Sequence, residues 1–286
     1  MKETPAPRLA RLAALVMYAW DMCSHDLHNL IPPPDARIAH DGWTVCGYLS
    51  GNDDIDGHHI RTACYGFVAH NAAGEYVVVI RGTAGTREWV DDAKFRLKVP
   101  DAPFQGKVED GFYNIYRSMR YWPADREGDM PLAAGIAALV GTRPLTVTGH
   151  SLGAALATYL TLDLAASERC TQVALRAFAS PRPGDGAFAT GFAKNVGDYQ
   201  VINYRHDAVP KLPLIGFTSL PDVRLLDTSA LMTIAGGKTC SHHLISYIAL
   251  LDAKEFTRAT ALAGTTPDDQ HCATCVTLHA SIATAG

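Results

Sequence analysis

The stretch LTVTGHSLGAALATYL, residues 145–160, changes character midway. Its first residues read as a β-strand by their β-branched content, and from Leu152 onward small and apolar residues follow at helical spacing. Ser151 sits at the seam, with Gly149 two positions before it and Gly153 two after. A nucleophilic serine needs a tight strand-to-helix turn that projects its hydroxyl, and glycines on either side remove the side chains that would collide there. Ala154, Ala155 and Ala157 let the following helix approach the sheet, and its amino end directs unpaired N–H groups at a site of developing negative charge. A lone GxSxG pattern also fits an ordinary helix-capping serine. The strand before it and the helix after it favour the nucleophile.

The neighbouring segments extend the pattern. GEYVVVIRG (74–82) is a short apolar run bounded by glycines, as in a strand buried on both faces. QVALRAFASPRPGDGAFATGFAK (172–194) repeats the order strand, turn, helix, and DYQVINYRHDAVPKLP (198–213) supplies another strand with a proline-punctuated loop. WTVCGYLS (43–50) and RTACYGFVAH (61–70) read as a hairpin, while DGFYNIYRSMRYW (110–122) and MPLAAGIAALVG (130–141) read as helices. This βαβα alternation predicts an α/β fold with a mostly parallel central sheet and helices on both faces. No linker or internal repeat divides the chain, so residues 1–286 are expected to form a single domain.

Hydrophobic residues make up 48% of the 286 and charged residues 19%, which supplies a sizeable core and argues against long disorder. A net charge of −4 offers no broad basic surface, so nucleic acid is not an expected partner. The first residues, MKETPAPRLARLAALVMYAWDMC, read as an amphipathic helix; Glu3 and Arg11 argue against a secretory leader. No apolar run reaches the ~18 residues of a membrane span. A soluble protein is expected, cytoplasmic or exported without an obvious leader, with its oligomeric state open. Seven cysteines leave at least one unpaired. The CxxC of HCATC (271–275) lacks a second pair for a zinc site and reads as incidental or disulfide-forming, so no metal or other cofactor is expected.

Serine attacks at neutral pH only when a base takes its proton and a third group orients that base. Downstream, Asp207 stands just past a predicted strand, in the loop position suited to the orienting acid; Asp198, Asp222 and Asp227 are rivals. His206 is an awkward partner for the carboxylate next to it in sequence. CSHHLISYIALL (240–251) opens a helix with His242 and His243, either of which could be the base.

In order along the chain, VVVIRGTAGTREWVDD, VEDGFYNIY, VTGHSLGAALA, FASPRPGDGAFA, VINYRHDAVPKLP and SHHLISYIALL resemble the class 3 lipase family of α/β-hydrolases, over roughly residues 60–250. The resemblance implies a serine hydrolase of carboxylic esters, with acylglycerols the leading substrate class and a lipid–water interface a place of action. It puts the nucleophile on Ser151, the acid on Asp207 and, through an HxxxxY pattern ending at Tyr247, the base on His242; a tighter spacing in some fungal members leaves room for His243. It puts the oxyanion hole at Thr83 and Leu152, and a lid tryptophan at Trp89 followed by Asp92. Where many members carry histidine before xGF, this chain has Glu109. An acyltransferase sharing the acyl-enzyme and a non-catalytic binding module on the same fold are the alternatives.

Overall fold

The computed structural model describes residues 4–53, 61–82, 95–167, 170–262 and 272–279. At its centre is a nine-stranded sheet. Its strands, in chain order, are β1 (Trp43–Asn52), β2 (Thr62–Asn71), β3 (Tyr76–Ile80), β4 (Arg120–Pro123), β5 (Met130–Pro131), β6 (Leu145–His150), β7 (Val173–Phe178), β8 (Tyr199–Tyr204) and β9 (Val223–Leu226). The spatial order is β9-β8-β7-β6-β3-β2-β1-β4-β5. From β3 through β6, β7 and β8 to β9 every pairing is parallel, whereas β2, β1, β4 and β5 continue the sheet antiparallel. The 43–50 and 61–70 runs thus form the expected hairpin, β1 with β2.

The apolar run at 76–80 shows why this sheet is covered twice. Side chains alternate between faces along a strand. Val78 and Ile80 enter one apolar cluster while Val77 and Val79 enter another, and all four are fully buried. The first cluster is completed by helices α2 (Asp110–Ser118), α3 (Leu132–Val140), α4 (Leu152–Ala166) and α5 (Gly186–Asn195); the second by α1 (Ala6–Ser24), α6 (Leu244–Leu251) and α7 (Ala253–Leu262). Each fully buried Val, Leu or Ile stabilises by about 1.5–3 kcal/mol relative to an exposed one.

Three elements differ from the sequence reading. α1 is the expected first helix but is covered on more than one face: 13 of its 19 residues are buried, because it packs on α6 and on the sheet at once. The segment 110–122 is helical only to Ser118; Arg120–Pro123 pairs with β1 and alternates its burial, and this strand period replaces the helical one. The segment from Cys240 breaks at His243, whose extended backbone (ψ 137°) separates a short helix, Lys238–His242, from α6. Two disulfides tie the second face together, Cys23–Cys64 and Cys240–Cys275, leaving Cys46, Cys170 and Cys272 as thiols. Cys275 therefore pairs outside its CxxC.

Candidate active site

β3, β6, β7 and β8 end at the same end of the sheet, and β6 leaves it through Ser151. Its backbone is held at φ 57° and ψ −129°, a region a non-glycine residue enters only when its surroundings force it. The forcing contacts are short. A Cβ on Gly149 would lie 2.3 Å from the Gly153 carbonyl oxygen, and one on Gly153 would lie 2.4 Å from that of Ile80. Ser151 N–H donates to the Phe178 carbonyl (3.0 Å), which pins the turn to β7.

Three sequence-predicted residues meet at this turn. His242 Nε2 lies 2.9 Å from Ser151 Oγ, and His242 Nδ1 lies 2.7 Å from Asp207 Oδ2. All three side chains are buried. A neutral imidazole that donates from Nδ1 to the carboxylate leaves Nε2 to accept the serine proton. Asp207 is itself held: Oδ1 accepts from Val209 N–H at 2.9 Å, and Oδ2 also accepts the Tyr247 hydroxyl at 2.7 Å. Burial, and after it the Asp207 carboxylate, push the Tyr247 phenol well above its usual range, so it stays a donor. The same Tyr247 oxygen accepts the N–H of Tyr204, joining α6 to the end of β8.

His242 rests on a second histidine. His242 is the last residue of the Lys238–His242 helix, where carbonyls lack intrahelical partners. His150 Nε2 lies 2.8 Å from the His242 carbonyl oxygen, and the two rings are 4.7 Å apart. Burial, with the His242 imidazole second, keeps the His150 pKa well below the usual histidine value, so His150 is neutral and donates. His243 points elsewhere, with Nδ1 3.5 Å from Cys275 Sγ.

Two of the three rival acids are held by arginines. Asp198 pairs with Arg176 (2.8 Å) at the opposite end of β8, Asp222 precedes β9, and Asp227 pairs with Arg205 (2.7 Å). Of the residues expected to hold an oxyanion, Leu152 is the first residue of α4, where an N–H has no intrahelical acceptor. Thr83, Trp89 and Asp92 lie outside the described residues. A Cβ on Gly82, next to Thr83 in sequence, would stand 3.3 Å from Ser151 Cβ, so the Arg81–Gly82 backbone abuts the serine turn. Arg81, fully buried, donates to the carbonyls of Cys64 and Gly82 and stacks on Tyr65. Sequence reasoning overlooked what His150 and Arg81 do, although both sit inside the quoted motifs; a histidine and an arginine in otherwise apolar strand ends were the available signal.

The hydrogen-bonded chain from hydroxyl to imidazole to carboxylate can take a proton from Ser151 and hold it as an imidazolium. Residues 77–217 match the family model described as Lipase (class 3). The chain is 29% identical over 240 residues to phospholipase A1-IIgamma of Arabidopsis thaliana, covering 74% of this chain and 54% of that one. It is 32% identical over 154 residues to secreted mono- and diacylglycerol lipase A of Penicillium cyclopium, covering 54% and 48%. The chain therefore spans about half the length of these relatives. Among solved structures, Rhizomucor miehei triacylglyceride lipase superposes with a TM-score of 0.58 at 24% identity, over 79% of this chain and 82% of that one. That likeness carries the α/β-hydrolase fold.

Proposed function

We propose that this chain, which belongs to the class 3 lipase family, is a serine hydrolase of carboxylic esters whose substrate class is the acylglycerols. One observation carries the reading: Ser151 Oγ, His242 and Asp207 form a continuous hydrogen-bonded chain of 2.9 and 2.7 Å at a strained strand-to-helix turn. Ser151 Oγ attacks the ester carbonyl as His242 Nε2 takes its proton. Asp207 orients the ring and supports the imidazolium. The N–H groups of Leu152 and Thr83 hold the oxyanion, a contribution of several kcal/mol when both donors are aimed beforehand. His242 then returns the proton to the leaving alcohol, and water, deprotonated by the same base, releases the acid. These steps use only protein groups and water.

Acylglycerols are favoured by the name of one relative, a mono- and diacylglycerol lipase; the name of the other, a phospholipase A1, adds acyl esters of phospholipids as the second substrate class to test. In this reading Trp89 belongs to a lid that meets a lipid–water interface, and residues 1–286 act as one domain. Two disulfides favour an oxidising compartment for the folded chain. Among the described residues no helix is long and apolar enough to cross a membrane.

The test is an ester chain-length series, soluble and emulsified, on the wild type and on Ser151→Ala. Turnover lost in a folded variant supports the assignment, and a rate jump at the emulsion supports the lid. Turnover that survives in Ser151→Ala overturns it. Product esters formed with added alcohol would mark an acyltransferase instead.

A further inference from the structure

Next to the proposed base in sequence lies a cluster that ester hydrolysis does not use. Cys240 stands two residues before His242 in the same short helix, and His243 follows directly, so the pair has C-x-x-H spacing. Cys275 ends a 3₁₀ turn, Ala273–Cys275, that leads into a strand, Val276–Leu278, paired with Met232–Ile234. The donor atoms of Cys240, His243 and Cys275 all lie within 4.8 Å of one another, with His243 Nδ1 facing Cys275 Sγ at 3.5 Å. His243 and Cys275 are buried.

We propose that Cys240, His243 and Cys275 form a zinc site in the reduced chain, where the structure shows a Cys240–Cys275 disulfide in the oxidised one. The donor set suits the ion: two thiolates and one imidazole are soft and borderline ligands that select Zn²⁺ over hard cations, and three protein ligands with one open position is an established zinc composition. Charge argues the same way. Two thiolates and a neutral imidazole cancel the charge of Zn²⁺, whereas the Cys275 thiolate alone would be buried uncompensated. The chemistry balances with a small dithiol as reductant. Its two sulfurs close their own disulfide, the two electrons and two protons pass to Cys240 and Cys275, and Zn²⁺ then displaces both protons. Bound zinc replaces the disulfide as the tie between the His242 helix and the 273–278 segment, so the base keeps its anchor in either redox state.

The full chain is reduced anaerobically with dithiothreitol, desalted and titrated with Co²⁺ as the spectroscopic probe. The expected result is a thiolate-to-cobalt absorption band that saturates at one equivalent, is absent from the oxidised chain and is lost in Cys240→Ser and Cys275→Ser. His243→Gln weakens the affinity by about tenfold or more, since loss of even an outer-shell partner costs about that much. A folded chain with all seven thiols titratable and no such band overturns the proposal, as does a band of unchanged intensity in Cys240→Ser. A second measurement covers loss of fold on reduction. Protein made in a reducing, zinc-supplemented cytoplasm and never oxidised is expected to carry one zinc per folded chain, and metal-free folded protein also overturns the proposal. Neither readout uses ester turnover, so its outcome is separate from that of the hydrolase reading.

Discussion

The hydroxyl of Tyr247 and the Nδ1 of His242 converge on one oxygen, Asp207 Oδ2, each at 2.7 Å. That oxygen is thereby fixed in direction, since a carboxylate free to rotate would present either oxygen to the imidazole. The phenol does this from α6, the helix that follows His242 and His243, so His242 and Asp207 share one support.

Tyr247→Phe removes the phenolic donor and also leaves the Tyr204 N–H without its acceptor. Loss of a hydrogen bond to a charged group, with a buried donor orphaned, costs about 2 kcal/mol of stability. A kcat about tenfold lower with KM nearly unchanged is expected, because the lost contact supports the imidazolium of the transition state rather than substrate binding. Steady-state kinetics beside a denaturant titration checks both. A kcat equal to wild type would show that Val209 N–H alone holds Asp207.

Ser151 separates catalysis from backbone cost. Ser151→Ala should lower kcat by about 10⁴-fold or more, while its stability stays near wild type because alanine suffers the same φ of 57°. Ser151→Gly should be equally inactive but more stable, by about 1 kcal/mol, since glycine enters that region without strain. Thermal melting of the three proteins decides it; a glycine variant no more stable than the alanine variant would mean the turn is not strained.

The Gly153 position tolerates no side chain. An added Cβ would stand 2.4 Å from the Ile80 carbonyl and 2.5 Å from that of Arg81, both backbone atoms of the strand exit beside Ser151. Gly153→Ala is expected to destabilise by about 3 kcal/mol or more, in the tail reserved for forced backbone shifts. Its folded fraction should also lose turnover. A melting temperature within 2 °C of wild type, a tolerance set by the usual few degrees per kcal/mol, would contradict the packing.

How much of this could be read beforehand depends on whether the deciding contact is local. The turn at 149–153 is local: strand period, glycines and small helix residues all lie within sixteen residues, so the fold class and the strained serine turn were legible together. Asp207 could be singled out because its strand end is local too, although its rivals were discounted only by partners such as Arg176, which faces Asp198 across the sheet. His242 and His243 are adjacent, and sequence alone left both open. What distinguishes them is non-local: a carbonyl held by His150, 92 residues away, and a disulfide from Cys240 to Cys275 beside His243. Burial of α1 on nearly every side was likewise invisible, because the sheet and α6 that cover it come from distant sequence.

His150 gives the protein an acid-side weakness. Its folded-state pKa lies well below the ordinary 6.5, so an unfolded chain takes up this proton first. Stability attributable to this group is therefore whole above about pH 6.5 and declines as pH falls below it. Protonation would also end the neutral donor's fit between the His242 carbonyl and the His242 ring. His150→Gln keeps an N–H donor without a titrating group, so its unfolding midpoint should fall less than the wild type's between pH 7 and pH 5. Parallel midpoints over that range would remove His150 from the account.

Glu109 acts in the opposite direction. It caps α2 by accepting from Phe112 N–H at 2.7 Å, yet it is buried, and burial pushes its carboxyl from 4.5 up to about 7. The folded chain therefore holds a proton that the unfolded chain has already lost between those values. Its stabilisation is full below about pH 4.5 and is lost as pH rises to about 7, with an upper limit of about 3 kcal/mol. Glu109→Gln removes the ionisation and keeps an acceptor for Phe112. Relative to wild type it should gain about 1–2 kcal/mol at pH 8, after allowance for the weaker hydrogen bond, and gain little at pH 5. Since the cap leads directly into the 110–118 helix and the Leu97–Lys98 segment pairs with Val108–Glu109, the same variant should show slower amide exchange at Arg96 and Phe112 at pH 8. Equal exchange and equal slopes in the two proteins would mean that Glu109 is ionised in the fold at no cost.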